Sequence, residues 1–108
     1  MKRLFLYSII LIVSSCSLME NNKTRVIFLG DSITQQGEDL ENGFISLMRQ
    51  NISQNNFELI GKGISGNKVS DLLARYKADV IDLNPDIVFI YIGINDVWHK
   101  YDYGTGTD

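Results

Sequence analysis

The chain has 108 residues, a formal net charge of −3, 44% hydrophobic residues and a single cysteine. This length allows one domain at most, and a lone thiol excludes an intrachain disulfide framework. The sequence lacks a basic patch and aromatic residues interleaved with Lys or Arg, which excludes a nucleic-acid surface.

The first fifteen residues have the pattern of an export signal. Lys2 and Arg3 form a positive start, and the apolar run 4–13 that follows is too short for a comfortable membrane span. Small residues then precede Cys16, an arrangement that resembles a bacterial lipoprotein signal. We therefore predict a signal peptide over 1–15 and lipidation of Cys16, with an ordinary secretory signal as the alternative.

The rest of the chain divides into a short polar tether over 16–23 and a domain over 24–108. Lipidation of Cys16 would anchor the protein to a membrane, because several acyl chains bury enough CH₂ groups for stable attachment. We expect an exported lipoprotein that faces the periplasm or the cell surface. No feature of the sequence indicates an oligomeric state.

Alternating strand and helix patterns follow within the domain. Apolar, β-branched runs predict strands at 25–30, 57–61 and 86–92, and the continuous third run is typical of a central strand covered on both faces. Apolar residues at helical spacing predict two helices. The first has Asn42 as its N-cap and carries Phe44, Leu47, Met48 and Ile52. The second ends at Asn84-Pro85 and carries Val69, Leu72, Leu73, Tyr76, Val80 and Leu83. The order β-α-β-α-β predicts a parallel α/β sheet.

Each predicted strand ends in a polar turn that contains glycine. These turns are Gly30-Asp31-Ser32, Gly63-Ile64-Ser65-Gly66-Asn67 and Gly93-Ile94-Asn95-Asp96. If the strands are parallel neighbours, their carboxyl ends lie at one edge of the sheet. A serine hydroxyl, a glycine backbone and an asparagine amide would then meet, and these are the parts of an acyl-transfer site.

These three blocks resemble those of the SGNH hydrolases, the GDSL-type esterase and lipase superfamily. Gly30-Asp31-Ser32-Ile33 is similar to the nucleophile block, Gly63-Ile64-Ser65-Gly66 to the second block and Gly93-Ile94-Asn95-Asp96 to the third. The resemblance covers roughly 24–103. It implies a flavodoxin-like, three-layer α/β/α fold with strand order 2-1-3-4-5, of which this chain holds the N-terminal β-α-β-α-β part.

The resemblance also implies a mechanism and its residues. Ser32 would be the nucleophile, and the backbone N–H groups of Ser32 and Gly66, together with the Asn95 side-chain amide, would hold the oxyanion. The implied activity is ester hydrolysis through an acyl-enzyme, with acyl groups on carbohydrates or small esters as substrates and with no cofactor or metal. Gly30, Asp31 and Asp96 are expected to support the site, Asp31 by bracing its turn and Asp96 by fixing the Asn95 loop.

The fourth block of the family, an Asp-x-x-His that supplies the catalytic base, has no clear counterpart. His99 is the only histidine and follows Asn95 closely, within Asp96-Val97-Trp98-His99. We expect His99 to be a loop residue at the pocket rim, with a role as the base as the alternative. We therefore expect an incomplete domain whose third strand has a bare outer edge, and which is inactive and poorly folded alone.

Two other function classes remain open at this point. A lipid-anchored domain of this fold could bind glycans without turnover, or be an inactive remnant. The Gly-Asp-Ser turn could instead be an anion nest for phosphate, although only Lys62 and Lys68 lie near any of the three turns.

Overall fold

The computed structural model describes residues 22–105 as an α/β fold around a parallel sheet. The strands are β1 (Thr24–Gly30), β2 (Phe57–Gly63) and β3 (Ile87–Tyr91), in the order β2-β1-β3. Both neighbours of β1 pair with it in parallel. The predicted fold class is confirmed, and this strand order is the one that the resemblance implies for the first three strands.

Four α-helices connect and flank the strands. They are α1 (Ser32–Asp39), α2 (Phe44–Asn51), α3 (Val69–Asp79) and α4 (Ile94–Asp102), and a single 3₁₀ turn, Ile81–Leu83, lies between α3 and β3. None of the helices within residues 22–105 combines the length and the apolar character needed to cross a bilayer. The predicted signal peptide and Cys16 lie outside the described residues.

The hydrophobic core is built on both faces of β1. On one face Val26 and Phe28 pack with buried residues of α2 and β2, Ile45 and Leu59. On the other face Ile27 and Leu29 pack with buried residues at the two ends of α3, Leu72 and Val80. The alternation of β1 side chains between two apolar layers makes β1 the central strand and fixes its carboxyl end between α1 and α3.

The third strand differs from the prediction that it is covered on both faces. All five residues of β3 are exposed, and Ile90 is 63% exposed. The reason is that none of the helices within residues 22–105 packs extensively on β3. In addition, the edge of β3 away from β1 has no neighbouring strand in that part of the chain. The expected bare outer edge is therefore present in the described part of the chain.

Two helices are absent from the sequence prediction. The predicted loop after the third strand is helix α4, so the expectation that His99 lies in a loop is wrong. Helix α1, directly after Asp31, was also not predicted. Elsewhere the N-cap of α2 is Gly43 rather than Asn42, and β2 continues to Gly63.

The long predicted second helix ends earlier than expected. Helix α3 stops at Asp79, and Val80 leaves the helical conformation with φ −127° and ψ −65°. After the 3₁₀ turn, Asn84 takes a left-handed conformation with φ 50°, a region that asparagine tolerates better than most residues. This break redirects the chain into β3.

Candidate active site

Ser32 lies where β1 ends and α1 begins. It is the first residue of α1 and is half-buried. At this position its N–H has no acceptor within the helix. The sharp passage from strand to helix therefore presents both the hydroxyl and the N–H of Ser32 at the carboxyl edge of the sheet.

Asp31 caps α1 and holds the turn. Its Oδ1 accepts a hydrogen bond from the N–H of Ile33 at 3.0 Å, and its backbone carbonyl accepts one from the N–H of Gln35 at 3.0 Å. The side chain is fully buried, and its Oδ2 has no hydrogen-bond partner within residues 22–105. These two hydrogen bonds connect Asp31 to the first turn of α1.

Two glycines allow the backbones around Ser32 to approach closely. A Cβ on Gly30 would clash with the side chain of Thr34 and the carbonyl of Tyr91. A Cβ on Gly63, at the end of β2, would clash with the backbone N of Gln35. Glycine is therefore required at both positions to bring the ends of β1 and β2 against the first turn of α1.

The loop after β2 is a tight turn with Gly66 at its third position. The N–H of Asn67 donates to the carbonyl of Ile64 at 3.2 Å, and Gly66 has φ +80°, the geometry of a type II turn. The N–H of Ser65 donates to Oε1 of Gln35 on α1 at 2.8 Å, which ties this loop to the Ser32 turn. No backbone acceptor within residues 22–105 pairs with the N–H of Gly66, so this donor remains available for a ligand.

The third predicted site residue, Asn95, is the second residue of helix α4. Asn95 is 8% exposed, and its Nδ2 donates to the backbone carbonyl of Asn67 at 3.0 Å. An amide nitrogen carries two hydrogens, so one remains for a second acceptor. The neighbouring Asp96 accepts a hydrogen bond from the N–H of Val69, the first residue of α3, at 3.1 Å, and so attaches the start of α4 to the loop that carries Gly66.

Arg75 on α3 is part of the same network, although the sequence analysis did not identify it. Its guanidinium donates to the carbonyl of Gly30 at 2.8 Å, to the carbonyl of Lys62 at 3.0 Å and to Oδ1 of Asn67 at 2.8 Å. It also pairs with Asp79 one turn along the helix at 2.6 Å. Arg75 thus makes four side-chain bonds although its side chain is only 15% exposed. These bonds indicate that it organises the structure at the carboxyl edge of the sheet.

His99 does not complete the site within the described residues. It lies on α4 one turn after Asn95, and its ring packs edge-on against Tyr103 with a centroid distance of 5.4 Å. None of the hydrogen bonds within residues 22–105 joins His99 to Ser32. The catalytic base therefore has no counterpart in contact with the serine in this part of the protein.

The predicted site residues thus lie together at one edge of the sheet. Hydrogen bonds link the Ser32 turn to the Gly66 loop, and the Gly66 loop to Asn95. A cleft of about 260 Å³ opens beside Ser32, between the exposed side of α1 and Ser65. Within residues 22–105 no group of three or more His, Cys, Asp or Glu side chains is arranged to hold a metal ion.

The arrangement has the chemistry of an acyl-transfer site. A hydroxyl at a helix N-terminus and N–H donors on turns connected to it are the groups that such a site needs to attack an acyl carbon and stabilise the oxyanion. The sequence profile of the GDSL-like lipase/acylhydrolase family matches residues 28–106, which include all three turns. The chain belongs to this family.

Similar proteins of known structure or function are esterases. An acetylxylan esterase of Geobacillus stearothermophilus is 39% identical over a match that covers 72% of this chain and 42% of that protein. The crystal structure of the acetyl xylan esterase AlAXEase is 51% identical with a TM-score of 0.75, and the match covers 78% of this chain and 44% of that one. A structure of the Geobacillus enzyme is 36% identical, with a TM-score of 0.64 and coverage of 76% and 44%.

Two further structures of the Geobacillus enzyme are catalytic mutants, one with a serine and one with a histidine replaced by alanine. This chain spans less than half of the length of the relatives that it matches.

Proposed function

We propose that this protein is a serine esterase that removes acetyl groups from carbohydrates. The observation that carries the proposal is that hydrogen bonds connect the three turns that hold Ser32, Gly66 and Asn95 at the carboxyl ends of the strands. The esterase relatives support the class of substrate, since they are described as acetylxylan esterases.

In the proposed mechanism Ser32 Oγ attacks the ester carbonyl while a base takes its proton. The N–H groups of Ser32 and Gly66 and the Asn95 amide hold the negative oxygen of the tetrahedral intermediate, and each such donor is worth about 3–4 kcal/mol in the transition state. The intermediate collapses, the sugar hydroxyl leaves with the proton, and an acetyl-serine remains. Water then attacks the acetyl-serine and releases acetate.

The general base of this mechanism is also part of the proposal. A serine hydroxyl is a weak nucleophile without an adjacent base, and His99 packs against Tyr103 rather than against Ser32. We therefore place the general base on a histidine of an Asp-x-x-His block in a longer form of this chain, beyond the residues of this sequence. The relatives, which are more than twice as long as the matched region, support this assignment.

The esterase proposal is tested in the full-length protein by acetate release from acetylated xylooligosaccharides and from p-nitrophenyl acetate. Ser32→Ala should abolish release without loss of stability, because the side chain is small and makes little packing contact at the turn. Ser70→Ala, an exposed serine near the start of α3, is the matched control and should keep wild-type turnover. Turnover that survives in Ser32→Ala would exclude this nucleophile, and glycan binding without any acetate release would favour a non-catalytic binding module.

We also propose that the protein is an exported lipoprotein anchored through Cys16. The support is the sequence before it, a positive start followed by a short apolar run and small residues. Metabolic labelling with a fatty-acid probe should label the wild-type protein and not Cys16→Ala, whereas Ser17→Ala should remain labelled. Label that persists in Cys16→Ala would contradict the assignment.

A further inference from the structure

One guanidinium connects the three turns of the candidate site. Arg75 donates directly to the carbonyl of Gly30, the residue that precedes the Asp31-Ser32 turn. It donates to the side chain of Asn67, which follows Gly66 in the second turn. The backbone carbonyl of the same Asn67 accepts the hydrogen bond from Asn95 in the third turn.

The chemistry of these contacts requires arginine. A guanidinium presents five N–H donors in a planar fork, whereas a lysine ammonium is a single point of charge. The fork of Arg75 reaches acceptors on β1, on β2 and on the Gly66 loop at distances of 2.8 to 3.0 Å. The guanidinium keeps its donors in a fixed angular relationship, whereas the donors of a lysine ammonium rotate on a flexible stem.

The charge of Arg75 is paired with the carboxylate of Asp79, which also lies 3.9 Å from the ammonium of Lys62. Asp79 lies 2.6 Å from the guanidinium, on the same helix. A paired, largely buried cation contributes little field to a neighbouring site compared with a free one. The contribution of Arg75 to the site therefore lies in where it holds the backbone and side-chain donors.

We propose that Arg75 is the positioning residue that sets the spacing between Ser32, the Gly66 N–H and the Asn95 amide. This inference rests on the proposed esterase function and extends it to a residue that does not touch the substrate. Donors of an oxyanion hole must match the position of the oxygen in the transition state, and a misplacement of about 1 Å costs about a hundredfold in rate. Loss of the Arg75 fork relaxes that spacing and lowers kcat more than it raises KM.

The test uses Arg75→Lys in the full-length protein, because lysine keeps the charge and the pairing with Asp79 but not the fork. Asn67→Ala is the second variant, since it removes only the side-chain link to the Gly66 loop. Lys77→Met on the same helix is the matched control; Lys77 is 73% exposed and its ion pair with Asp82 lies at the surface. Each variant is measured for kcat and KM with an acetylated substrate at a temperature well below its melting point.

A second measurement reports on the proposed oxyanion donors independently of turnover. Hydrogen exchange of the Asn67 N–H, whose hydrogen bond closes the Gly66 turn, reports the integrity of that turn in each ¹⁵N-labelled variant. The nuclear magnetic resonance signals of the Gly66 N–H and of the Asn95 side-chain amide report the environment of the two donors. In Arg75→Lys we expect faster exchange at Asn67, shifted Gly66 and Asn95 signals and a tenfold to hundredfold loss of kcat with KM changed less than twofold. Asn67→Ala should give a smaller loss of the same kind, and Lys77→Met should change neither measurement.

The possible outcomes distinguish the positioning role of Arg75 from the proposed esterase function on which it rests. Wild-type kcat and unchanged Gly66 and Asn95 signals in Arg75→Lys would overturn the positioning role. A loss of stability with kcat preserved would also overturn it, because Arg75 would then serve the fold alone. If the wild-type protein shows no esterase activity, the proposed function fails, and the exchange and resonance measurements still decide whether Arg75 positions these donors.

Discussion

Gly66 shows how a single residue type can set the direction of a backbone N–H, here the one that we propose as an oxyanion donor. Its φ of +80° lies in the region that side chains rarely adopt, while no atom lies within 4 Å of the place where a Cβ would be. The requirement for glycine therefore comes from the backbone conformation and not from lack of space. An L-residue with a Cβ pays about 1–2 kcal/mol in this region, which it can relieve by turning the peptide plane and its N–H.

Gly66→Ala should lower kcat of the full-length esterase by at least tenfold, because relief of the strained φ moves the N–H away from the oxyanion. Gly104→Ala provides the matched control, since Gly104 also has a positive φ of 65° with open space around it but lies at the far end of α4. Steady-state kinetics and thermal melts are compared for both variants. Equal losses of turnover in the two would show that strain alone, and not the donor at Gly66, is responsible.

The candidate residues differ in how visible they are in the sequence. Ser32, Gly66 and Asn95 could be proposed because each follows an apolar run and carries chemistry of its own. Arg75 could not, because its partners include the backbone carbonyls of Gly30 and Lys62, which only the folded sheet brings within reach. A residue that acts by donating to backbone carbonyls leaves no recognisable pattern in the amino-acid sequence.

Among the elements, α1 is a helix with a side-chain N-cap. Asp31 satisfies the N–H of Ile33, whereas α2 and α4 begin at glycines without a side-chain cap. Loss of an N-cap side chain costs about 0.5–2 kcal/mol.

We therefore expect Asp31→Ala to lower the free energy of unfolding of the full-length protein by about 1 kcal/mol. Asp31→Asn keeps the accepting oxygen and should cost much less, since Oδ2 has no hydrogen-bond partner within residues 22–105 to lose. Urea unfolding of the two variants measures the difference. Equal destabilisation by Ala and Asn would mean that the charge, and not the cap, holds the turn.

The elements that were not predicted share one physical property. The buried residues of α1 are Thr34 and Gly37, and those of α4 are Asn95 and Asp96. A helix that buries small or polar residues gives no apolar periodicity, so the pattern that found α2 and α3 cannot detect it. The strands were found because their apolar runs are continuous, and only their ends differ from the prediction.

At the scale of the whole molecule the outstanding feature is the open side of the sheet. The side chains of β3 are all exposed, although every one of them is apolar or aromatic. Exposed strand edges of this kind pair with other chains unless they are covered or charged. A piece of the protein that leaves β3 uncovered is expected to associate.

The isolated 108-residue polypeptide should therefore aggregate, melt without cooperativity and lack esterase activity. Ile90→Lys should increase its solubility, because Ile90 is 63% exposed on the sheet edge and a lysine there opposes strand pairing. Tyr101→Lys on α4 is the control at an exposed site off the sheet. A cooperative melt together with hydrolysis of an aryl acetate would contradict this expectation and would favour His99 as the base.

The central place of β1 also has a consequence for the order of events in the cell. Arg25, near the start of β1, forms hydrogen bonds with Glu58, 33 residues away, and with Asp86, 61 residues away. The strand β1 is synthesised before β2 and β3, so it can complete its pairing only after both of them have been synthesised. Distant strand pairings of this kind slow folding. A nascent chain whose central strand completes its pairing last stays unfolded for longer, which would suit the export that we propose for this protein.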